Sequence, residues 1–179
     1  MDELIDIYNE KNEDLKIIKM RSEAHEKGLW HRSSHIWVYN DNSEILLQLR
    51  SSNKIIFPNR WDVSSAGHIG AGELPLESAI RELQEEIGII PTDKDIQFYK
   101  ISKQSSQYGK LLDNEFHYVY FFKFNGDISN LVLQKEEVED IKFYHTDFLK
   151  NELNKNPESF VPHGKYWFDI ITEVEKRLQ

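Results

Sequence analysis

The sequence predicts an α+β fold in which a mixed β-sheet lies between helices. Short strand-like stretches flank one strongly amphipathic helix, and two further helical patterns end the chain. Strands and helices grouped in this way, without regular βαβ alternation, are typical of α+β domains. With 179 residues, of which 39% are apolar and 30% charged, the chain is predicted to form a single globular domain over residues 1–179.

The strand predictions rest on apolar stretches and on the turn residues between them. The first 27 residues are polar with only short apolar groups, and they predict an irregular or two-stranded arm. Asn40-Asp41-Asn42-Ser43 is a favourable turn between two apolar-rich stretches and predicts a β-hairpin. Pro58 restricts residues 55–59 to a loop or a short edge strand. Predicted strands occupy residues 35–39, 44–49, 61–64, 68–69, 96–102, 115–124 and 138–144.

The central helix is predicted by an apolar stripe with steps of three and four residues, formed by Leu76, Ala79, Ile80, Leu83 and Ile87. Pro75 suits its first turn, and Gly88 suits the position just after its end. Because the stripe would pack on the sheet, Glu82, Glu85 and Glu86 are predicted to face away from the sheet. Two more helices are predicted, at residues 147–153 after a cap at Thr146 and at residues 164–178.

The composition limits the classes of partner and chemistry. The formal net charge of −9 argues against nucleic acid as the main partner. The chain contains no cysteine, which excludes disulfides, thiolate metal sites and a cysteine nucleophile. No apolar run reaches the ~20 residues that span a bilayer, and the acidic N-terminus is unlike a signal peptide. We therefore expect a cytoplasmic protein that does not insert into membranes. The sequence leaves the oligomeric state open, with a homodimer as one possibility.

Three carboxylates, Glu82, Glu85 and Glu86, lie close together on the central helix. Like charges at this spacing repel one another by a few tenths of a kcal/mol, about 0.2–0.5 per surface pair. A hard divalent cation reverses that cost, since Mg²⁺ prefers oxygen ligands and commonly lies between protein carboxylates and substrate phosphates. The cluster therefore predicts a metal site that binds a phosphorylated small molecule.

The segment from Gly67 to Ile89 resembles the Nudix box, in which Gly, five residues, Glu and seven residues precede Arg-Glu-aliphatic-any-Glu-Glu-any-Gly-aliphatic. All of the specified positions match. The resemblance implies an α/β/α sandwich and hydrolysis of a diphosphate linkage with Mg²⁺ or Mn²⁺. Carried over by position, it implies that Glu82, Glu85 and Glu86 bind the metal. It also implies that Gly67, Glu73, Arg81 and Gly88 brace the loop against the helix. The general base is left open among Glu85, Glu86 and Glu115.

A narrower resemblance points to the isopentenyl-diphosphate-isomerase-like branch of this superfamily. It is carried by residues 28–37, 46–50, 61–68 and 113–116. The isomerases of this branch hold a metal with histidines and acids, and His25, His31, His68 and Glu115 occupy comparable positions here. The resemblance therefore implies that His68 and Glu115 also bind metal, and that His25, His31 and His68 could form a second metal site.

Two departures from the isomerase pattern favour hydrolysis over isomerisation. The catalytic cysteine of the isomerases is replaced by Ala66, and the acid two residues before Glu115 is shortened to Asp113. Without the thiol, the acid–base pair that protonates carbon is incomplete. The isomerases also degrade the Nudix box, whereas this chain retains it. An isomerase and a noncatalytic module that binds phosphorylated ligands remain the alternatives.

The substrate is predicted only as a class. Arg50 and Lys54 follow a strand in a Ser-Asn loop, and together with Arg32 they are candidate phosphate contacts. The ligand is expected to be a small-molecule diphosphate, such as an isoprenoid diphosphate or a nucleoside di- or triphosphate. The sequence does not choose between these groups.

Overall fold

The computed structural model describes residues 2–179, and within them the chain forms nine strands and four α-helices. The strands are β1 (Leu4–Tyr8), β2 (Asp14–Met20), β3 (His31–Tyr39), β4 (Glu44–Arg50), β5 (Trp61–Asp62), β6 (Ser65–His68), β7 (Ile96–Tyr108), β8 (Leu111–Lys123) and β9 (Val138–His145). The helices are α1 (Arg21–Lys27), α2 (Pro75–Ile87), α3 (Thr146–Lys155) and α4 (Lys165–Arg177). None of the helices within residues 2–179 has the length and apolar character needed to cross a bilayer.

The main sheet is mixed. Strand β3 pairs in parallel with β8, and the other pairings are antiparallel, with β7 beside β8 at one edge and β9 and β5 beside β4 at the other. Strands β3 and β4 meet at the pair Tyr39–Ile45 and then separate. Beyond this pair a wedge-shaped gap opens between β3 and β4. Strands β5 and β6 fill this wedge, since β5 pairs with β4 and β6 pairs with β3. This wedge brings residues 65–68 to the centre of the sheet.

Helices cover both faces of the sheet. On one face Ile36, Val38 and Leu46 pack against Ala79, Leu83 and Ile87 of α2. On the other face the core contains Trp37, Val119 and Phe121 from the sheet, Leu149 from α3, and Trp167, Ile170, Ile171 and Val174 from α4. The predicted α+β sandwich with a mixed sheet is therefore confirmed.

The N-terminal arm contains more structure than the sequence pattern predicts. Strands β1 and β2 form the two-stranded alternative, and the short helix α1 follows them directly. This helix ends at Gly28, whose left-handed backbone (φ 63°) donates its N–H to the carbonyl of Ala24. The apolar-stripe rule misses α1 because Ala24 is its one buried residue.

Several strand boundaries differ from the sequence predictions. Strand β3 begins at His31 and not at residue 35, β5 ends at Asp62, and β6 occupies Ser65–His68. Strands β7 and β8 extend toward each other to form one long hairpin with a turn at Gly109. Polar residues such as Gln104 and Ser106 lie in this extension, and they form strand without an apolar alternation because one side of the hairpin borders a cavity. Residues 55–59 form a loop, which is one of the two predicted alternatives.

Candidate active site

A cavity of about 460 Å³ lies at the centre of the fold and collects most of the candidate residues. One side is formed by α2 and the loop before it, a second by the arm and α1, and a third by the β7–β8 hairpin. The loop after β4 and the segment before α4 close the rest. Among the predicted site residues, those lining the cavity are His25, Arg50, Lys54, Gly67, His68, Arg81, Glu82, Glu85, Glu86 and Glu115.

Two of the three box carboxylates are buried, contrary to the prediction that all three face away from the sheet. Glu82 and Glu86 are only 9% and 3% exposed, whereas Glu85 is exposed. Glu86 Oε2 accepts hydrogen bonds from Ser65 Oγ at 2.8 Å and from the Ala66 N–H at 3.1 Å, so it contacts β6 directly. The prediction is wrong because α2 packs over the central wedge, where residues beside its apolar stripe also meet the sheet.

Arg81 connects the carboxylates to the loop before α2. Its guanidinium donates to both oxygens of Glu73, from Nε at 2.8 Å and from Nη2 at 3.0 Å. Nη1 lies 2.6 Å from Glu82 Oε1 and 3.2 Å from Glu85 Oε2. A bidentate guanidinium–carboxylate pair fixes direction as well as distance. Arg81 thus connects Glu73 of the loop to Glu82 and Glu85 of the helix.

Glycine is required at two positions around the box. A Cβ atom at Gly67 would lie 2.0 Å from Glu82 Oε1, so the absence of a side chain makes room for that carboxylate. Gly88 ends α2 with a left-handed backbone (φ 73°), and a Cβ there would also meet the backbone nitrogen of Val132 at 2.9 Å. Both residues therefore hold the helix and its carboxylates in place.

The buried carboxylates are destabilised as anions. Burial, followed by repulsion from Glu82, raises the pKa of Glu86 above its ordinary value. Burial also raises the pKa of Glu82, against the opposing effect of Arg81. Buried acids that repel each other are stabilised by a cation held between them. The carboxylate group of Glu82, Glu85 and Glu86 therefore has the chemistry of a divalent-cation site.

A second candidate metal group lies beside the first. The four residues His25, His31, His68 and Glu115 each offer one ligand atom within 4.8 Å of the others. The Nε2 atoms of His25 and His31 are 3.2 Å apart, and Glu115 Oε1 lies 3.2 Å from His31 Nε2 and 3.3 Å from His68 Nε2. Burial, with repulsion from His68 and His31, lowers the pKa of His25 to about 4, so this imidazole is neutral at pH 7.

The histidine group also fits a metal because it contains buried polar atoms without hydrogen-bond partners. Within residues 2–179, neither His68 Nε2 nor Asp113 Oδ1 has a well-aligned partner. His25 Nε2 lies 3.6 Å from Asp113 Oδ1. Convergent imidazole nitrogens and carboxylate oxygens of this kind suit a divalent transition metal such as Zn²⁺ or Mn²⁺.

The three candidate phosphate contacts have different surroundings. Arg50 lines the cavity but uses its guanidinium on the carbonyls of Ile56 and Phe57 and on Asp62 Oδ2. Lys54 lines the cavity and forms an ion pair with Glu137. Arg32 lies outside the cavity, stacked on the ring of Tyr8, where its Nε donates to Asn12 Oδ1 at 2.7 Å.

Several polar residues of the cavity have no signal in the sequence pattern. His163 Nε2 lies 2.6 Å from Asp62 Oδ1, although 101 positions separate the two residues. The rings of His35 and His117 stack with centroids 3.9 Å apart. Glu3 of the arm reaches His68 Nδ1 at 3.4 Å. None of these pairs follows from spacing, since each joins segments that only the folded chain brings together.

The fold and the arrangement of α2 define the class of protein. The NUDIX domain model matches residues 29–164, so the chain belongs to the NUDIX domain family. The chain is therefore an enzyme of the Nudix hydrolase type.

Relatives from several organisms support this assignment. The chain is 37% identical to Nudix hydrolase 3 of Arabidopsis thaliana over 96% of its own length, but it spans only 24% of that protein. It is 32% identical to an uncharacterised Nudix hydrolase of Clostridium acetobutylicum, with 95% of each chain covered. It is also 29% identical to isopentenyl-diphosphate Delta-isomerase of Serratia proteamaculans, over 84% of this chain and 79% of that protein. The resemblance to the isomerase-like branch is thus confirmed.

A solved structure shares the fold at low sequence identity. Protein DR0079 of Deinococcus radiodurans superposes with a TM-score of 0.72 and 18% identity, over 96% of this chain and 99% of that one. This match supports the architecture described above.

Proposed function

We propose that this protein is a divalent-cation-dependent hydrolase that cleaves a diphosphate linkage in a small phosphorylated metabolite, with Mg²⁺ or Mn²⁺ as its cofactor. Isoprenoid diphosphates and nucleoside di- or triphosphates are the substrate groups consistent with the family. The proposal rests on one observation above all. Two buried carboxylates and a third exposed one converge on a large cavity from a single braced helix.

The residues of the cavity can be given roles in this reaction. Glu82, Glu85 and Glu86 would hold the cation, and Arg81 keeps their carboxylates in register with the loop. A bound divalent cation supplies a Lewis acid that polarises a phosphoryl oxygen and lowers the pKa of water. Lys54 would bind the substrate's phosphates once they replace Glu137 as its ion-pair partner.

The general base is proposed among Glu85, Glu86 and Glu115. Each of these carboxylates lines the cavity. Glu115 is distinguished by its contacts, because His117 Nε2 lies 2.8 Å from its Oε2 while His31 and His68 approach its Oε1. These imidazoles, acting against burial, hold the pKa of Glu115 well below its usual range. That environment suits a metal ligand better than a base.

Isomerisation of an isoprenoid diphosphate is the second candidate, favoured by the histidine group and by the isomerase relatives. The cavity argues against it at one position. Ala66 lines the cavity where the isomerases place their cysteine, and the chain has no thiol to replace it.

The test is hydrolysis of a panel of diphosphates by the purified protein with Mg²⁺ or Mn²⁺. We expect release of phosphate or a monophosphate, and a fall in rate of roughly 10²-fold or more in Glu85→Gln and Glu86→Gln. Glu77→Gln is the matched control, because Glu77 lies on the same helix, caps the N–H of Leu74 and does not line the cavity.

The outcomes separate the alternatives. An inert wild-type protein that binds diphosphates tightly would support a noncatalytic module. Deuterium incorporation into isopentenyl diphosphate without phosphate release would support an isomerase. Equal rates in wild type and in both box variants would show that the box glutamates do not take part in the reaction.

A further inference from the structure

The inner part of the cavity has a polar floor apart from the carboxylates of α2. Two of its residues, His35 and His117, also offer ligand atoms within 4.8 Å of Glu115 and of each other. Ser33 and His35 project from β3, and His117 projects from β8 directly opposite Ser33 in the register. All three side chains are buried and line the cavity. They lie on the sheet face that continues into the apolar core at Trp37 and Phe121. A floor of imidazole and hydroxyl groups thus begins where that core ends.

His163 completes this part of the cavity from the segment before α4. Its Nε2 is held by Asp62 Oδ1 at 2.6 Å. Asp62 is itself fixed, because it accepts from Arg50 Nη1 at 3.1 Å and from the Val63 N–H at 2.8 Å. Within residues 2–179, the other ring nitrogen of His163 has no hydrogen-bond partner. The ring is therefore oriented by the protein and retains one nitrogen for a ligand.

Ser33 indicates what kind of ligand this floor is built for. Its Oγ is buried and has no hydrogen-bond partner among residues 2–179. A buried hydroxyl without a partner destabilises the protein unless a ligand or a water satisfies it. An apolar chain lying on the floor would displace water and leave Ser33 unsatisfied, whereas a ligand hydroxyl would both donate and accept.

The free ring nitrogens of the floor match hydroxyl groups. His35 Nδ1 lies 3.3 Å from Tyr166 Oη, and His117 Nε2 lies 2.8 Å from Glu115 Oε2, so each of these rings retains one nitrogen for a ligand. An imidazole nitrogen either donates to a hydroxyl or accepts from it, according to the tautomer. The nearby guanidinium of Arg50 is already bound to Asp62 and to two backbone carbonyls. No free cation therefore faces the floor to favour a carboxylate or a further phosphate, within the part of the chain that the structure describes.

We propose that Ser33, His35, His117 and His163 form a subsite for a hydroxyl-bearing group, of the sugar or pentose type, attached to the diphosphate. His163 is the residue that determines specificity, and Asp62 positions it. The subsite selects against prenyl groups, because they would bury these polar atoms without partners. This inference rests on the proposed function, since it names the group that the cleaved diphosphate carries.

The test compares two five-carbon ligands by calorimetry in the presence of Mg²⁺. The probes are the non-hydrolysable methylene-bridged analogues of ribose 5-diphosphate and of isopentenyl diphosphate, with methylenediphosphonate itself as the reference. We expect the wild-type protein to bind the ribose compound at least about tenfold more tightly, since one hydrogen bond between neutral groups changes affinity by roughly that factor. His163→Leu should lose about tenfold for the ribose compound and leave the affinity for methylenediphosphonate unchanged.

Two further variants keep the test decisive. Ser33→Ala should reduce the affinity for the ribose compound alone. His163→Gln should retain part of the affinity for the ribose compound that His163→Leu loses. His145→Asn, at an exposed histidine outside the cavity whose capping acceptor asparagine also supplies, is the matched control and should bind all three probes as wild type does. Equal or tighter binding of the prenyl compound by wild type would overturn the subsite, and so would a His163→Leu defect shared by all three probes. Because the probes are not hydrolysed, binding tests the subsite even if turnover of every diphosphate is absent, which would overturn only the proposed hydrolase.

Discussion

Gly67 shows how closely the box carboxylates are packed against the sheet. Its backbone lies in β6, opposite Ser34 of β3, and the carboxylate of Glu82 occupies the space where a side chain would begin. The neighbouring Gly70 has no such constraint, because a Cβ there would meet nothing nearer than Glu73 Oε2 at 3.4 Å. One glycine of this loop therefore positions a carboxylate, and the other tolerates a methyl group.

This difference predicts the outcome of Gly67→Ala. The methyl group would displace the Glu82 carboxylate by an ångström or more, and misplacement on that scale costs roughly 100-fold in activity. We expect the variant to lose most of its diphosphatase rate and to need more Mg²⁺ for half-maximal rate. Steady-state kinetics over a Mg²⁺ titration measure both. Gly70→Ala is the control, and an equal loss in both variants would show that the loop, and not Glu82, is affected.

At the scale of single residues, the sequence predicts which residues form the site better than it predicts the contacts that those residues make. The box names Glu82, Glu85 and Glu86 because their spacing is fixed along one helix. It does not predict that Glu86 bonds Ser65 and Ala66, because that contact depends on where α2 crosses the central wedge. The pairing of Asp62 with His163 is still less accessible, since it depends on how the C-terminal segment returns to the sheet.

Among the elements, the N-terminal hairpin of β1 and β2 contributes directly to the site. The Ala71 N–H donates to the Leu4 carbonyl at 2.9 Å, and the Gly72 N–H donates to Asp6 Oδ2 at 2.8 Å. Strand β1 thus holds the loop between β6 and α2, and Glu3 continues from it to His68. The sequence predicts the arm as an element but does not predict that it lines the cavity, because its polar sequence has no apolar face that would indicate where it packs.

Arg32 provides a test of how this hairpin is attached. Its guanidinium stacks 3.7 Å from the Tyr8 ring centroid and donates to the side chain and the carbonyl of Asn12. Loss of these contacts in Arg32→Ala should reduce the free energy of unfolding by about 1–3 kcal/mol. It should also accelerate hydrogen exchange of the amides in residues 4–20. Denaturant unfolding and exchange mass spectrometry provide the two measurements.

The same variants decide whether Arg32 binds phosphate, as the sequence pattern suggests. Arg32→Lys keeps the positive charge but loses the planar fork that stacks and donates twice. If Arg32 attaches the hairpin, Arg32→Lys should therefore accelerate hydrogen exchange in residues 4–20 nearly as much as Arg32→Ala does. A phosphate contact instead predicts unchanged exchange in both variants, with an increase in KM that Lys largely corrects.

Across the whole molecule, how well a feature can be predicted from the sequence depends on how far apart its residues lie along the chain. The Nudix box occupies one contiguous segment, so the sequence identifies its carboxylates and brace together. The histidine group draws on α1, β3, β6 and β8, and only the resemblance to the isomerase-like branch predicts it from the sequence. The residues of the polar floor form no contiguous motif. The floor could be recognised only after β3, β8 and the segment before α4 were seen around one cavity.

The two candidate metal groups make one prediction about the stability of the entire fold. A cation that binds the folded state alone stabilises it by RT ln(1 + [M]/Kd), about 2.7 kcal/mol at a hundredfold excess over Kd. For a chain of this size that corresponds to a rise in Tm of roughly 5–10 °C. Mg²⁺ prefers carboxylates and Zn²⁺ accepts imidazoles readily, so the two ions should report on different groups.

We therefore expect Mg²⁺ to raise the Tm of the wild-type protein and of His25→Ala, but not of Glu86→Gln. Zn²⁺ should raise the Tm of wild type and of Glu86→Gln, and its effect should fall in His25→Ala because one of four converging ligand atoms is gone. His145→Asn is the control, since His145 is exposed and caps α3 through an acceptor that asparagine also supplies. Differential scanning fluorimetry after chelator treatment measures these shifts. If His25→Ala and Glu86→Gln each lost the rise in Tm with both ions, the carboxylates and histidines would form one site. Each group would then be needed to bind either ion.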